Sequence, residues 1–488
     1  MMFALGKYKA YDEQSEFFCI FTEDNTLLRD IFCRSAPSLR KPISEDFLTF
    51  APAMLTSEQL YPIFQQHPTV CTDTRQLSSG CLFFALKGAA FDGNRFAAQA
   101  LEQGAAYVVV DDSTVCHSDR FLLVPDVLTA LQQLATHHRQ QFDIPVVAIG
   151  GSNGKTTTKE LMSAVLASHY PCHFTKGNFN NHIGVPLTLL SMPVETEVAV
   201  IEMGTNQPGD IDLLCRIAEP THGLLTNIGK EHLEGFGSLE GVKKAEGELY
   251  RYLAKTDGFV FVNASEKYLA TMSRRNTRKV IYTSEGAYRT DDGLIGIQLL
   301  GESPFICAGF LSDEEKKVEV QTQLIGRHNF NNIMTAIALG IYFKVPARKI
   351  KSALEAYTPS NNRSQLLRRG SNTILLDAYN ANPSSMKPAL ETLRTLPASH
   401  KIAILGDMRE LGADSAKEHK AMLRFASKLK LDQLVLVGSE FGQTDFARSG
   451  ALHFSDAAAA KAWFQNQTFD NAAILLKGSR GIRLETIL

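Results

Sequence analysis

The stretch Ile144-Pro-Val-Val-Ala-Ile-Gly-Gly151-Ser-Asn-Gly154-Lys155-Thr156-Thr-Thr158 decides the fold. Its apolar opening, Ile144 to Ile149, has the length of a buried strand, and helix-like text runs from Lys155 to Ser168. A glycine loop between a strand and a helix lets backbone N–H groups and the positive helix end converge on an anion. The usual G-x-x-x-x-G-K-[ST] spacing fails, because Ile149 stands at the first glycine position; the form here is the tighter G-x-x-G-K-T. Gly151, Ser152, Asn153, Gly154, Lys155, Thr156 and Thr157 are therefore expected around the phosphates of a nucleotide. Lys155 would neutralise the terminal phosphates and the Thr156 hydroxyl would bind magnesium. An ordinary glycine turn capping a helix is the alternative.

Working outward, Val198-Ala-Val-Ile and Gly223-Leu-Leu-Thr-Asn-Ile read as further buried strands of the same sheet. Glu202 emerges at the carboxyl end of the first of these, where doubly wound sheets place their ligand crevice, and suits a second magnesium anchor. Taken alone it would be a solvated strand end. His232 lies in the glycine-rich loop Asn227-Ile-Gly-Lys-Glu-His-Leu-Glu-Gly-Phe-Gly at the same edge. A lone loop histidine is more often structural, so its candidacy as a metal ligand rests on Lys155 and Glu202 nearby. Asn329 and Asn332 are spaced i, i+3 at a helix start and could present a donor and an acceptor to an adenine edge; capping by Asn329 is as simple.

The chain has 488 residues, enough for three domains at about 150 residues each. Residues 1–53 form an extension with no strong periodicity and no assigned role. Residues 54–124 read as a small α/β domain, 125–358 as the central mostly parallel sheet domain around the phosphate loop, and 359–488 as a Rossmann-like doubly wound domain. A charged stretch from Thr271 to Val320 resembles a β-rich excursion within the second. In the third, Asp377-Ala-Tyr379-Asn380-Ala-Asn382-Pro, Gly406-Asp-Met-Arg-Glu-Leu-Gly and Lys477-Gly-Ser479-Arg fall at strand ends and so line one rim. Asp377 could accept hydrogen bonds from ribose hydroxyls.

Composition narrows the classes further. Lys plus Arg is 50 and Asp plus Glu is 52, a net charge of -2, which excludes a general nucleic-acid coat. The eight cysteines are scattered without metal spacing and read as reduced core residues. The longest nearly apolar run, Ile333 to Phe343, is about half of what a bilayer crossing needs. Met1 to Asp30 lacks the layout of an export signal. A cytoplasmic monomer that neither binds nucleic acid nor inserts in membrane is expected.

These motifs, in this order, resemble the Mur ligase family of ATP-dependent peptide-bond-forming enzymes, over roughly Met54 to Leu488. The resemblance rests also on Gly177-Asn-Phe-Asn-Asn-His-Ile-Gly-Val-Pro, Ile201-Glu-Met-Gly and Gly326-Arg-His-Asn-Phe-Asn-Asn. It implies ATP and magnesium as cofactors. It implies a first domain that holds a UDP-linked substrate through Asp73, Thr74, Arg75, Lys87 and Gly88, and a last domain that closes over the nucleotide. Lys155, Asn178, Asn181, Glu202, His232, Asn329, Asn332, Arg363 and Asp377 match family functional positions, with Tyr379 beside the nucleotide and Asn380, Lys477 and Ser479 toward the incoming peptide. The diaminopimelate-adding relative's Asp-Asn-Pro-Arg element is absent, so the implied reaction adds D-alanyl-D-alanine to UDP-N-acetylmuramoyl-tripeptide through an acyl phosphate.

One position departs from the family. Fourteen residues after His232, where the family usually has a lysine that becomes a magnesium-binding carbamate, stands Glu246. Three readings remain at this point: Glu246 acts on magnesium through a bridging water, Lys243 supplies the carbamate from one turn earlier, or the site is altered.

Overall fold

The computed structural model describes residues 54–285 and 294–488; the 1–53 extension and part of the β-rich excursion, residues 286–293, lie outside. Four strands, Val70–Cys71, Leu82–Phe84, Tyr107–Val110 and Phe121–Leu123, form a parallel sheet in that spatial order. The helix Val127–Arg139 follows it, capped by the Asp126 carboxylate, which accepts from the Thr129 N–H at 2.7 Å. Its apolar face joins the first sheet and the central region in one continuous core, which holds Leu82, Val109, Leu131, Leu134 and Val146 together.

The central sheet has seven parallel strands, in the order Ile295–Gly296, Lys279–Thr283, Phe259–Asn263, His222–Leu225, Val146–Gly150, Val198–Glu202, Cys172–Phe174. All five residues of Val146–Gly150 are buried, as a strand covered on both faces requires. Strands that follow it in the chain pair on either side of it, so the strand order reverses there, and α/β sheets open a ligand crevice at such a point. Register sharpens the placement: Ile149 lies opposite Glu202, and Gly150 opposite Leu225. Glu202 therefore comes out beside the glycine loop. The helices Lys155–Ala167 and His328–Tyr342 pack against each other over this sheet, sharing a core of Leu161, Val165, Ile333 and Ile337.

The expected β-rich excursion is present in part as an antiparallel three-stranded sheet, Gln298–Gly301, Cys307–Leu311 and Lys317–Gln321. Beyond it, a six-stranded sheet runs Gln365–Arg369, Asn372–Asp377, Ala472–Lys477, His400–Gly406, Gln433–Val437, Leu452–Phe454. Its first strand is antiparallel, and the sequence reading, which sought apolar runs, passes over it because Arg368 and Arg369 break the pattern. The other five are parallel, as a doubly wound sheet should be. Asp377 and Lys477 lie opposite each other at the carboxyl end of this sheet. Among the described residues no helix is long and apolar enough to cross a membrane.

Candidate active site

The carboxyl edges of the central and C-terminal sheets enclose a cavity of about 750 Å3. The glycine loop forms its floor. Gly151 has φ +112°, and a Cβ there would stand 2.3 Å from Thr226 Oγ1, so only glycine fits. Gly154 has φ +80° and packs against the Asn332 side chain. Three loop N–H groups are already used: Gly151 donates to Glu246 Oε2 at 2.7 Å, Ser152 to the Asn227 carbonyl at 2.9 Å, and Asn153 to Asn227 Oδ1 at 3.1 Å. The N–H groups at the start of helix Lys155–Ala167 have no intrahelical partner by geometry and, with the helix dipole, can receive an anion.

Lys155 Nζ donates to the Gly151 carbonyl and lies 3.6 Å from Glu231 Oε2. Burial disfavours its ammonium, but Glu231, Glu246 and Glu202 more than offset this and hold its pKa above the ordinary lysine value. Glu202 Oε1 accepts from Thr156 Oγ1 at 3.1 Å and from Asn180 Nδ2 at 2.8 Å, while Lys159 Nζ stands 3.6 Å from Oε2. Sequence reasoning missed Glu231, Lys159 and Asn180. Lys159 carried a signal, since it is one turn after Lys155 on the same helix face.

Buried polar atoms with no hydrogen-bond partner among the described residues collect around this cavity: Glu202 Oε2, Glu231 Oε1, His328 Nδ1 and Arg363 Nε. Native proteins satisfy nearly all such atoms, so their clustering marks a ligand site. The donor set also fits magnesium, which takes one or two protein oxygens and completes its shell with phosphate and water. Thr156 and Glu202 would supply those oxygens. No group of three His, Cys, Asp or Glu gathers for a metal among the described residues.

The far wall belongs to the C-terminal sheet. Asp377 Oδ2 accepts from Lys477 Nζ at 2.7 Å and Oδ1 from the Ser364 N–H at 3.2 Å. Burial raises the Asp377 carboxyl, yet Lys477 outweighs it and the net shift is downward. Arg363 stacks its guanidinium 3.6 Å from the Tyr379 ring centroid. Asn178, Asn181 and Asn380 line the cavity, and Asn181 also caps the helix Gly184–Leu190 through the Gly184 N–H at 2.8 Å. His232 Nδ1 lies 2.9 Å from Glu410 Oε2, a contact that holds the Glu410 carboxyl below its usual range. Asn153 joins the two walls, accepting from Asn382 Nδ2 at 2.9 Å and donating to Ser384 Oγ at 3.0 Å.

Several expected residues take other places. Glu246 is fully buried behind the loop and does not line the cavity; its Oε2 holds the Gly151 N–H. Burial, with the neighbouring Glu231 carboxylate, pushes its carboxyl up to about 8. Lys243 is no substitute, since its ammonium pairs with Glu240 at 3.1 Å and sits 4.1 Å from the Tyr268 ring centroid. Asn329 and Asn332 line the cavity as expected, and their amides also bond within the protein. Asn329 Nδ2 donates to the Ile325 carbonyl and Asn332 Nδ2 to Asn329 Oδ1, while Thr158 Oγ1 donates to Asn332 Oδ1. Ser479 is buried, and its hydroxyl accepts from the Arg409 N–H at 2.8 Å. Asp73, Thr74, Arg75, Lys87 and Gly88 belong to the first sheet region and do not line this cavity. Asp73 pairs there with Arg75 at 2.7 Å and Lys87 with Asp111 at 2.7 Å.

Comparison with known proteins agrees with this architecture. The Mur ligase family catalytic domain model matches residues 69–139, the Mur ligase middle domain 149–340, and the Mur ligase glutamate ligase domain 362–480. The UDP-N-acetylmuramoyl-tripeptide--D-alanyl-D-alanine ligase of Bacillus subtilis is 36% identical over 86% of this chain and 92% of its own length. The ligase of the same name from Escherichia coli is 35% identical over the same shares. Among solved structures, MurF from Acinetobacter baumannii superposes with a TM-score of 0.76 at 28% identity, over 90% of this chain and 98% of that one. MurF ligase from Thermotoga maritima in complex with ADP gives 0.74 at 25% identity, over 86% and 96%. With all three domain models matched in order and relatives above 30% identity over nine-tenths of their own length, the chain belongs to the Mur ligase family.

Proposed function

We propose that this chain joins D-alanyl-D-alanine to UDP-N-acetylmuramoyl-tripeptide at the expense of ATP, an amide-forming step of peptidoglycan precursor synthesis. One observation carries the reading: a phosphate loop with Lys155, Thr156 and Glu202 faces Asp377, Lys477 and Arg363 across a single polar cavity. The same reading places the enzyme in the cytoplasm, with its ATP.

A carboxylate cannot expel oxide, so it must first be activated. The tripeptide carboxylate oxygen attacks the γ-phosphorus of ATP, forming a C–O–P bond while the bond to the β-phosphate oxygen breaks and ADP leaves. The dipeptide amine then attacks the carbonyl carbon, phosphate departs, and the amine loses a proton. Two anions must approach each other in the first step, at a cost of about 1 kcal/mol per charge pair at 4 Å in water and about 4 in the lower effective dielectric of a protein surface. Lys155 and the free N–H groups of its helix supply fixed counter-charge at the phosphates. Magnesium held by Thr156 and Glu202 would add Lewis-acid stabilisation there. Lys477, oriented by Asp377, and Arg363, stacked on Tyr379, face the reacting groups from the other wall. Contacts of Asn153 with Asn382 and Ser384 keep the walls together and water out.

Glu246 acts in this reading as a positioning residue that fixes Gly151, and the UDP end of the long substrate rests on Asp73, Thr74, Arg75, Lys87 and Gly88 outside the cavity. The test is to supply ATP, magnesium, UDP-N-acetylmuramoyl-tripeptide and D-alanyl-D-alanine, and to weigh the product while following phosphate. A pentapeptide product with phosphate release dependent on both peptides is expected. Phosphate release indifferent to both would mark a nucleotide switch instead.

A further inference from the structure

Glu202 is the carboxylate best placed for magnesium, yet it already has a cation of its own. Lys159, one turn beyond Lys155 on the helix Lys155–Ala167, is 1% exposed, and its Nζ stands 3.6 Å from Glu202 Oε2. Glu202 and Thr156 line the cavity and Lys159 does not, so the ammonium backs the carboxylate from inside the protein. Its other contact is the Gly177 carbonyl, to which Nζ donates at 3.3 Å. Gly177 opens the loop that brings Asn178, Asn180 and Asn181 to the cavity, and Asn180 Nδ2 donates to Glu202 Oε1 at 2.8 Å. One lysine thus ties together the phosphate-loop helix, the strand end and this loop.

The ion pair balances charge without using up the oxygen. At 3.6 Å it lies beyond hydrogen-bond distance, and Glu202 Oε2 has no hydrogen-bond partner among the described residues. A buried carboxylate without counter-charge is costly, so Lys159 allows Glu202 to stay buried before any metal arrives. The same balance works against a bare cation. A divalent ion approaching Oε2 meets a carboxylate whose charge is cancelled and an ammonium that repels it. Glu231 beside Lys155 and Asp377 beside Lys477 are matched in the same way. Magnesium also gives up its water reluctantly and usually binds through one or two carboxylates together with phosphate oxygens. Phosphate is then the missing attraction, and the nucleotide brings it.

We propose that Lys159 is a positioning residue that keeps free divalent cations off Glu202, so that magnesium enters only as its complex with the nucleotide. The proposal rests on the reading of Thr156 and Glu202 as magnesium anchors. It has a sign that a merely structural lysine would not produce: removing the ammonium strengthens the binding of a bare cation, although a contact is lost.

Binding of Mn2+ alone to the nucleotide-free full chain, followed by the loss of its free-ion electron paramagnetic resonance signal, is compared in the wild type, Lys159→Met, Lys159→Gln and Lys159→Arg. Lys159→Met is expected to bind Mn2+ about tenfold or more tighter than the wild type, and adding Glu202→Gln should abolish the gain. Lys159→Arg keeps the charge and should stay within about threefold of the wild type. The Gln variant keeps a donor for the Gly177 carbonyl, so it decides the matter if the Met variant does not fold, and should tighten Mn2+ by at least about threefold. Unchanged Mn2+ affinity in a folded uncharged variant, a gain that survives Glu202→Gln, or an equal gain in Lys159→Arg would reduce Lys159 to a prop for the loop and overturn the proposal. Wild-type binding of Mn2+ as tight without ADP as with it would overturn it too. The anchor reading is checked separately, by the affinity for ADP with and without magnesium. If Glu202→Gln loses none of the magnesium effect, that reading fails and the proposal falls with it. Neither measurement needs turnover, so a failed ligation assay would tell against the proposed function instead.

Discussion

At the scale of single residues, Lys155 carries the largest share of the chemistry. It is the ammonium nearest the phosphate loop, and neighbouring acidic groups, Glu231 foremost, keep it charged. Lys155→Ala is expected to lower kcat on the order of a thousandfold, the scale of losing a fixed charge at a developing anion, while the UDP-linked substrate still binds. Ligation at the wild-type rate would remove the loop from the mechanism. Glu246 offers a separate handle through pH. Its carboxyl titrates near 4.5 when exposed and about 8 in the fold, so across that window the folded chain holds a proton that the unfolded chain releases. Stability must fall as pH rises through the window. Glu246→Gln keeps an oxygen for the Gly151 N–H and removes the titration, so the wild type should lose melting temperature relative to this variant between pH 5 and pH 8. A difference that stays constant with pH would contradict the buried placement.

At the scale of elements, the glycine loop works because two of its residues have no side chain. Gly151→Ala would push a methyl group to 2.3 Å from Thr226 Oγ1 in a backbone conformation that alanine resists. Strain of about 1–3 kcal/mol is expected there, read as a loss of roughly tenfold or more in ADP affinity by calorimetry. Unchanged affinity would mean that the loop adjusts freely. The helix Pro383–Thr395 has two functions at its start, which substitution can separate. Asn382 Oδ1 caps it by accepting from the Ser385 N–H at 2.8 Å, and Nδ2 reaches across the cleft to Asn153. Asn382→Asp retains the cap and loses the cross-cleft donor, so kcat should drop while the melting temperature hardly moves. Asn382→Ala should lower both, with about 1 kcal/mol lost from the cap. Identical behaviour of the two variants would show that only the cap matters.

At the scale of the whole molecule, two sheets that pack their own cores present their carboxyl edges to each other. The contacts between them are polar at the cleft, Lys230 with Glu418 at 2.5 Å, His232 with Glu410 at 2.9 Å and the Asn153 bridge, and apolar behind it, where Leu233, Phe236 and Val242 share a buried core with Met386, Leu390 and Leu411. Half-exposed ion pairs of this kind are worth about 0–1 kcal/mol each, so a nucleotide that touches both walls should add measurably to the apolar contact in holding them closed. ADP with magnesium at about a hundred times its Kd is expected to stabilise the wild type by about 2.7 kcal/mol in thermal denaturation, and to leave Lys155→Ala nearly unmoved. An equal shift in both would place the nucleotide away from the loop.

What the chain determines by itself is whatever neighbours in sequence decide. The strand, glycine loop and helix from Ile144 to Ser168, the strand-end positions of Glu202 and Asp377, and the alternation that makes the last domain doubly wound all follow from apolar runs and turn residues. The strand Gln365–Arg369 escaped because its charges mask an edge position. Partnership was left to the tertiary structure. Register alone sets Asp377 against Lys477, and helix packing alone links Asn329 to Asn332 and Asn332 to Thr158. Only the folded chain puts Glu246 beneath the loop and turns Lys243 toward Tyr268. The physical reason is that a periodic pattern reports which face of an element is buried, whereas a hydrogen bond or charge pair depends on groups tens to hundreds of residues apart meeting within about 3 Å.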